Sequence, residues 1–181
     1  MKKTIYLIRH CQANGQESDA ALTELGWEQA NKLADYLGDI PVDRIISSPF
    51  LRAVQSITPY AENNDRIIQM DNRLSERILS SVSYADWMEK LEATFWDMDL
   101  KFIGGESSRE ALQRIVEVID EIRKNNDKHV IIVTHGNIMS LLLNYYDKNF
   151  GFKEWKNLKN PDVFLLEIAE SGCHIKRFLN K

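Results

Sequence analysis

The first strand-like stretch of the chain leads directly into two polar side chains. Residues 4–8 form an unbroken run of mostly apolar and β-branched residues, and Arg9 and His10 follow at once. Such a run is typical of a strand buried on both faces of a sheet. An arginine beside a histidine suits an anion, because the guanidinium fork matches phosphate oxygens and a neutral imidazole is a nucleophile near pH 7. The run therefore predicts phosphate chemistry at a sheet edge.

Predicted strands and helices alternate along the rest of the chain. Further strands are expected at 43–47, 66–70 and 129–134. Helices are expected to begin after Thr23 and after Ser107, and two more at 84–98 and 137–145. Another helix is expected to have Ser48 as its N-cap and Pro49 in its first position. Segments 163–168 and 174–179 are expected to pair as an antiparallel hairpin. This alternation predicts an α/β fold, a three-layer α/β/α sandwich with a largely parallel mixed central sheet.

The 181 residues suit a single domain, 1–181, with no linker. The segment around 78–103 is rich in aromatic residues and directly follows Glu76. We interpret it as a lid-like insertion that gives the site an apolar wall, with plain helix packing as the alternative.

Side chains suited to phosphate follow three of the predicted strands. Arg9 and His10 follow the first, Arg52 lies just beyond the second, and His135 follows the strand 129–134. Ligands of such sheets lie outside the carboxyl ends of the strands, so we expect these groups to converge on one crevice. Glu76 follows the remaining early strand and would supply a carboxylic acid for proton transfer to a leaving group.

Composition and charge exclude several classes of partner. With 44% hydrophobic residues, 28% charged residues and a formal net charge of −4, the chain lacks the basic excess of a nucleic-acid binder. The N-terminal apolar run is too short for a signal peptide or a membrane span. Two cysteines, Cys11 and Cys173, form no C-x-x-C pair and fit a reducing compartment. We therefore expect a cytoplasmic protein that acts on a small phosphorylated substrate, with no nucleic-acid or membrane partner and an unknown oligomeric state.

Other readings of the same residues were weighed. A cysteine phosphatase needs Cys-x5-Arg, but Glu17 stands six residues after Cys11. His10, Cys11 and His135 could bind zinc, yet no fourth ligand stands at a recognisable spacing. A non-catalytic phosphate-binding module would use the same anion pocket, but it would gain nothing from Glu76.

Six short motifs stand in order between residue 4 and about residue 145. They read Leu7-Ile8-Arg9-His10, Leu22-Thr23-Glu24-Leu25-Gly26 with Gln29-Ala30, Ser47-Ser48-Pro49 with Arg52-Ala53, Leu74-x-Glu76, Gly105-Glu106-Ser107 and Val133-Thr134-His135-Gly136. Together they resemble the histidine phosphatase superfamily, the phosphoglycerate mutase-like proteins. The resemblance implies that His10 becomes phosphorylated, that Arg9, Arg52 and His135 bind the phosphoryl group, and that Glu76 donates a proton. It implies neither a metal ion nor a cofactor.

The chain departs from the family pattern beside these motifs. Cys11 stands where the family usually has glycine, and we interpret it as a thiol packed next to the site. Gln12 is a residue that the family commonly has at this position, whereas Asn14 matches the family pattern only loosely. Gln12, Asn14 and Gly136 are the further substrate-binding candidates. The family's Gly-x-Trp-Glu-Gly pattern after Glu76 is missing. The physiological phosphoester is therefore not indicated.

Phosphatases and mutases share these motifs. A mutase must keep water from the phosphohistidine, which usually takes an extra loop or a C-terminal tail. Here the segment before Leu22 is short, and the sequence ends two residues after Leu179. We therefore expect metal-independent hydrolysis of phosphomonoesters, with cofactor-dependent phosphoglycerate mutase-type transfer as the alternative.

Overall fold

A six-stranded mixed sheet runs through the computed structural model, which describes residues 2–38 and 40–178. Its strands are β1 (Lys3–Arg9), β2 (Arg44–Ser47), β3 (Ile68–Met70), β4 (His129–Thr134), β5 (Asp162–Ala169) and β6 (Gly172–Arg177). They lie in the order β3-β2-β4-β1-β5-β6. The first four are parallel, whereas β5 pairs antiparallel with β1 and with β6. The predicted sheet is therefore confirmed.

Helices cover both faces of this sheet, because the side chains of its central strands are apolar on both sides. Ile5 and Leu7 of β1 share a core with α4 (Ser108–Lys124) and α5 (Gly136–Tyr146). Tyr6 and Ile8 share the opposite core with α1 (Glu24–Leu37) and α2 (Leu51–Asn63). This alternation along one strand confirms the three-layer α/β/α sandwich.

The predicted N-cap of α2 is wrong by two residues. Phe50, not Ser48, is its N-cap, and no side chain caps this helix. The Ser48 hydroxyl instead accepts a hydrogen bond from the Phe50 backbone N–H at 3.2 Å and contacts the His135 ring. Local hydrogen bonding of a serine thus competes with helix capping, and the segment 48–50 stays outside the helix.

The segment 78–103 is less helical than predicted. Its helix, α3, covers Trp87–Trp96, shorter than the predicted 84–98. Leu91 on this helix is buried, whereas Trp87 and Met88 are exposed. The two ends of the segment are joined, since Glu106 donates its backbone N–H to Ile78 O and Ser81 donates to Ile103 O. The two ends of the segment therefore lie side by side. That the segment acts as a lid stays a prediction.

The C-terminal hairpin has the predicted pairing. β5 ends at Ala169 and β6 begins at Gly172, whose φ of 135° suits a residue without a side chain. The predicted second strand extends to Leu179, which lies outside the described residues. A short helix, α6 (Phe152–Lys156), was not predicted. Within residues 2–38 and 40–178, none of the helices has the length and apolar character needed to span a bilayer.

Candidate active site

The parallel pairing of β1 with β4 brings two histidines together. Arg9 lies opposite Thr134 in the register of the two strands, so the next residues, His10 and His135, leave the sheet side by side. The backbone N–H of His10 donates to Thr134 O at 3.0 Å, and the two imidazole centroids are 5.1 Å apart. Both rings are almost fully buried. The sheet itself therefore sets the spacing of the two histidines.

Hydrogen bonds assign the tautomer of His10. Its Nδ1 lies 2.6 Å from the backbone carbonyl of Cys11, which can only accept, so Nδ1 carries the proton. Its Nε2 lies 3.3 Å from Nε of Arg52, which can only donate, so Nε2 presents a lone pair. The Cys11 carbonyl is thus the backbone acceptor that holds the proton on Nδ1 and leaves Nε2 able to act as a nucleophile.

Two arginines approach this histidine from different elements. Arg52 lies in the first turn of α2 with 1% of its surface exposed, and its Nη1 donates to the carbonyls of Gln16 and Glu17. Arg9 donates from Nη1 to Leu158 O at 3.0 Å. Its buried Nε has no partner among the described residues. Backbone carbonyls thus hold both guanidinium groups and leave donor capacity for an anion.

His135 forms the far wall of this basic cluster. Its Nε2 lies 2.7 Å from the Ser48 hydroxyl, and its ring packs edge-on against Phe50 at a centroid distance of 4.9 Å. Its buried Nδ1 is without a hydrogen-bond partner in the described part of the chain. A phosphate oxygen bound beside the arginines would accept a hydrogen bond from this nitrogen when Nδ1 carries the proton.

Glu76 lies at the N-terminal end of α5. Its Oε2 accepts from the backbone N–H of Asn137 at 3.0 Å, and its Oε1 accepts from the backbone N–H groups of Ile138 and Arg77 at 3.1 and 2.8 Å. The Thr134 hydroxyl fixes the preceding segment by donating to Leu74 O at 2.7 Å. Three backbone N–H groups, two of them at the positive end of the α5 dipole, thus fix the position of the Glu76 carboxyl group.

A cleft of about 530 Å³ opens beside the basic cluster. Arg9, Glu76 and Gly136 line it together with residues that the sequence did not single out, among them Gln16, Arg77 and Asn137, and its apolar walls are Leu79, Trp87, Leu91 and Trp155. Three of these apolar residues belong to the segment 78–103 and one to α6. Of the aromatic residues in the segment, Trp87 lines this cleft, and the function of the segment as a lid stays a prediction.

Burial keeps the two histidines neutral. It lowers the pKa of His10 from 6.5 to about 4, and the guanidinium groups of Arg52 and Arg9 act in the same direction against the opposing hydrogen bond to Cys11 O. Burial also lowers the pKa of His135 well below its usual value, helped by His10 and Arg52. Near pH 7 the free site therefore holds two neutral imidazoles.

Not every predicted site residue reaches the cleft. Gln12 accepts from the Thr23 hydroxyl at 2.9 Å and so connects the segment 11–22 to the N-cap of α1. Asn14 donates to Leu22 O at 3.3 Å, a hydrogen bond within the segment. Their assignment to substrate binding stays a prediction. Arg9, His10, Arg52, Glu76, His135 and Gly136 do lie together at the sheet edge.

Cys11 is a structural thiol. It is fully buried in the core between the sheet and the first two helices, and its backbone N–H donates to the Ser56 hydroxyl at 2.8 Å. Burial raises the pKa of the thiol to about 11, so it is protonated near pH 7. Within residues 2–38 and 40–178, no group of three or more His, Cys, Asp or Glu side chains is placed to hold a metal ion.

Three further residues near the site carry a weak sequence signal or none. Asn160 donates from its side chain to His10 O at 2.7 Å, although it is 150 residues away and lies in an irregular segment. Asn137 had a weak signal, since it follows His135-Gly136 at the end of a buried strand. Arg77 had one as well, because it adjoins Glu76.

The structure thus brings two arginines, two histidines and a glutamate together at the carboxyl edge of the sheet in an α/β/α sandwich. Comparison with known families agrees with this arrangement: the model of the histidine phosphatase superfamily (branch 1) matches residues 5–181. The chain therefore belongs to the histidine phosphatase superfamily.

Similar proteins include phosphatases. A putative phosphoserine phosphatase 2 from Hydrogenobacter thermophilus is 26% identical over 186 residues, which cover 94% of this chain and 91% of that protein. Among solved structures, a mycobacterial glucosyl-3-phosphoglycerate phosphatase has a TM-score of 0.77 at 22% identity and covers 98% of this chain and 97% of its own. A putative alpha-ribazole-5'-P phosphatase from Escherichia coli has a TM-score of 0.77 at 17% identity, with 97% and 95% covered. The structural likenesses show the fold, and the relatives support phosphatase activity.

Gly136 allows Arg9 to lie close to the start of α5, and this gives a first test. A Cβ at position 136 would lie 3.1 Å from Nε and 3.2 Å from Cζ of Arg9. We expect Gly136→Ala to displace the guanidinium and to weaken inhibition by inorganic phosphate about tenfold, the loss of roughly one charge-assisted hydrogen bond. The matched control is Gly151→Ala at the start of α6, where the nearest atom is 3.6 Å away. Equal inhibition constants for both variants would contradict this account of Gly136.

The two buried histidines also predict how stability depends on pH. In the unfolded chain histidine binds a proton below about pH 6.5, whereas folded His10 stays neutral down to about pH 4. The unfolded state therefore binds more protons in this window, and the free energy of unfolding should fall by on the order of 1 kcal/mol per histidine between pH 7 and pH 5. Urea denaturation at a series of pH values measures this slope. His10→Asn should make the slope shallower, whereas His174→Asn on the exposed face of β6 should keep it.

Proposed function

We propose that this protein is a metal-independent phosphomonoesterase that works through a phosphohistidine at His10. The observation that carries the proposal is the fixed tautomer of His10, with its Nε2 lone pair facing Arg52 and its Nδ1 proton bound to the Cys11 carbonyl. A neutral imidazole beside two arginines is suited to attack the phosphorus atom of an anionic ester. A protein that only binds phosphate would not need such a nucleophile.

In the first step Nε2 of His10 forms a bond to phosphorus while the ester P–O bond breaks. The imidazole becomes positively charged, and the Cys11 carbonyl accepts the hydrogen bond from Nδ1 and stabilises that charge. Arg9 and Arg52 hold the equatorial oxygens, whose charge is spread in the transition state. In the second step water attacks phosphorus, the N–P bond breaks, and phosphate leaves.

Glu76 is the proposed acid and base in both steps. It gives its proton to the departing ester oxygen and then takes one from the attacking water. Three backbone N–H groups hold its carboxyl group in place on the wall of the cleft, next to the basic cluster.

The open position of the cleft favours transfer to water. The cleft joins the basic cluster through Arg9, and Trp87 at its wall is about half exposed. A phosphohistidine at this edge would meet water, whereas a mutase has to exclude it. We therefore propose hydrolysis over mutase-type transfer, and 3-phosphoglycerate with catalytic 2,3-bisphosphoglycerate should release phosphate without brisk formation of 2-phosphoglycerate.

Hydrolysis of para-nitrophenyl phosphate in EDTA tests the proposal. We expect full activity with the chelator and a loss of at least about 1,000-fold in kcat for His10→Ala, since the nucleophile is gone. His174→Ala, an exposed histidine on β6, is the control and should keep the activity. Acid quench after mixing with labelled substrate should trap label on the wild type but not on His10→Ala. Activity that EDTA abolishes and a divalent metal restores would overturn metal independence.

The role of Glu76 is tested by changing the leaving group. For Glu76→Gln we expect a loss of about 100- to 10,000-fold with alkyl phosphates and a smaller loss with para-nitrophenyl phosphate, whose leaving group scarcely needs a proton. The glutamine amide would also place N–H donors against a backbone N–H of α5, so thermal unfolding of the variant must be compared with that of the wild type. Equal losses on both substrates would mean that Glu76 positions the substrate and donates no proton.

A further inference from the structure

Arg114 of α4 binds the chain just before Glu76. Its Nη1 donates to the backbone carbonyls of Arg73 and Ser75 at 2.6 and 2.7 Å. The side chain is mostly buried, so these hydrogen bonds are largely shielded from solvent. Ser75 directly precedes Glu76 in the chain. A single guanidinium nitrogen thus spans two of the three residues before the proposed acid.

Glu106 accepts from the other side of the same guanidinium and binds the chain just after Glu76. Nε and Nη2 of Arg114 donate to its Oε1 and Oε2 at 2.8 and 2.7 Å. Its carboxylate also accepts from the backbone N–H of Ile78 at 3.3 Å, and its backbone N–H donates to Ile78 O at 2.8 Å. Its carbonyl accepts from Nε and Nη2 of Arg77 at 3.1 and 3.0 Å. The ion pair between Arg114 and Glu106 therefore connects the chain on both sides of Glu76.

Regular secondary structure does not fix the position of Glu76. A single 3₁₀ turn (Asn72–Leu74) comes before it, and residues 75–80 belong to no helix or strand. Backbone groups that secondary structure does not pair need side chains or water as hydrogen-bond partners. The Thr134 hydroxyl supplies one hydrogen bond to this segment, and Arg114 supplies two. The direction of the Glu76 side chain therefore depends on side chains from β4 and α4.

A second ion pair joins the same segment to α4 but is the weaker anchor. Arg73 donates to Glu121 at 2.6 and 2.9 Å, yet the Glu121 side chain is 56% exposed. Exposed ion pairs contribute little, because water competes for both partners. The side chains of Arg114 and Glu106 are only 19% and 23% exposed, and they bind the backbone itself. This buried pair is therefore the anchor that can orient Glu76.

Arg114 lies behind the wall of the cleft. Glu76 and Arg77 line the cleft, whereas Arg114 and Glu106 are not among the described residues at its surface. Any effect of Arg114 on catalysis must therefore pass through the residues that it binds. Accurate placement of a reacting group matters, because a displacement of about 1 Å can lower the rate about 100-fold.

We propose that Arg114 is a positioning residue for the proposed acid, Glu76. With Glu106 it fixes the chain before and after Glu76 and so directs the carboxyl group at the oxygen of the leaving group. The arginines of the basic cluster are held by other contacts, to the carbonyls of residues 16, 17 and 158. Loss of the pair should therefore leave phosphate binding intact. This proposal rests on the phosphatase function proposed above.

Two esters with different leaving groups test this role. Arg114→Lys keeps the charge but loses the planar fork that reaches two carbonyls and a carboxylate at once. We expect kcat for glycerol 3-phosphate to fall about 10- to 100-fold, because its leaving group needs the misplaced acid. We expect kcat for para-nitrophenyl phosphate to fall less than about threefold, with inhibition by inorganic phosphate unchanged. A purely structural role would lower both rates equally, and that outcome would overturn the proposal.

Arg109→Lys is the matched control. Arg109 also lies on α4 and forms a two-bond ion pair, with Asp99 at 2.5 and 2.8 Å, but both side chains are exposed. This variant should keep the wild-type rates with both esters.

Glu106→Gln is the second test variant and carries the test if Arg114→Lys unfolds. It keeps the backbone contacts of residue 106 and removes the charge that holds Arg114. We expect the same selective loss, about 3- to 10-fold for glycerol 3-phosphate. Thermal unfolding of each variant checks the fold. If neither Arg114→Lys nor Glu106→Gln distinguishes the two esters, the proposal is wrong.

A double variant shows whether Arg114 acts through Glu76. Phenyl phosphate, whose leaving group lies between the other two in basicity, keeps slow variants measurable. If the two residues act together, adding Arg114→Lys to Glu76→Gln should cost less than about twofold, because the acid that Arg114 positions is already gone. Losses that multiply would show independent roles and would contradict the proposal.

Amide hydrogen exchange separates this proposal from the phosphatase function, because it needs no turnover. The backbone N–H groups of Asn137 and Ile138 donate to Glu76 at 3.0 and 3.1 Å. Arg114→Lys should speed their exchange about tenfold, the loss of roughly one hydrogen bond, whereas Arg109→Lys should not. Faster exchange in a protein that hydrolyses no phosphoester would keep the positioning role and reject the proposed function. Unchanged exchange with equal losses on the two esters, in an active enzyme, would reject the positioning role and keep the phosphatase.

Discussion

The pairing register of β1 and β4 is the constraint on which the site depends. Arg9 lies opposite Thr134, and the next residues of the two strands are the two histidines. Because side chains in a strand alternate between faces, a shift of one residue would turn the apolar residues of β1 to the wrong cores and would separate the imidazoles. The same alternation that buries Ile5 and Leu7 on one face and Tyr6 and Ile8 on the other therefore also fixes the distance between His10 and His135.

Two arginines at this edge, Arg9 and Arg52, form no ion pair with a carboxylate among the described residues. Arg9 and Arg52 are held by backbone carbonyls. The pKa values of His10 and His135 lie below their usual range, so both imidazoles are neutral, and Nδ1 of His135 can donate in the tautomer whose Nε2 accepts from the Ser48 hydroxyl. A phosphate group would satisfy Arg9 Nε and the unpaired nitrogen of His135 at once. The clustering of these basic groups lowers the stability of the free protein. A charged substrate that bound between them would offset that loss.

Sequence patterns predicted the fold and the basic cluster but not the rest of the cleft. Apolar strands ending in Arg9, His10 and His135 carry a strong signal, because the carboxyl ends of parallel strands must meet. The N-cap at Ser48 was wrong because tertiary contact with His135 uses the same hydroxyl. Gln12 and Asn14 lie near the nucleophile in sequence, yet the Gln12 side chain binds the N-cap of α1 and that of Asn14 donates within its own segment. Trp155 lies on α6, which is too short to show a helical period.

Contacts of the C-terminal hairpin explain why residues far along the chain from His10 could not be recognised as part of the site from the sequence. Arg177 on β6 forms a two-bond ion pair with buried Asp162, and Asp162 accepts the backbone N–H of Lys159. The segment held in this way gives the carbonyls of Leu158 and Lys159 to Arg9, and Asn160 binds His10 O. An ion pair at the sheet edge thus helps to orient Arg9 through a loop of no regular structure. Such a dependence follows from chain packing in three dimensions, and no residue spacing along the sequence encodes it.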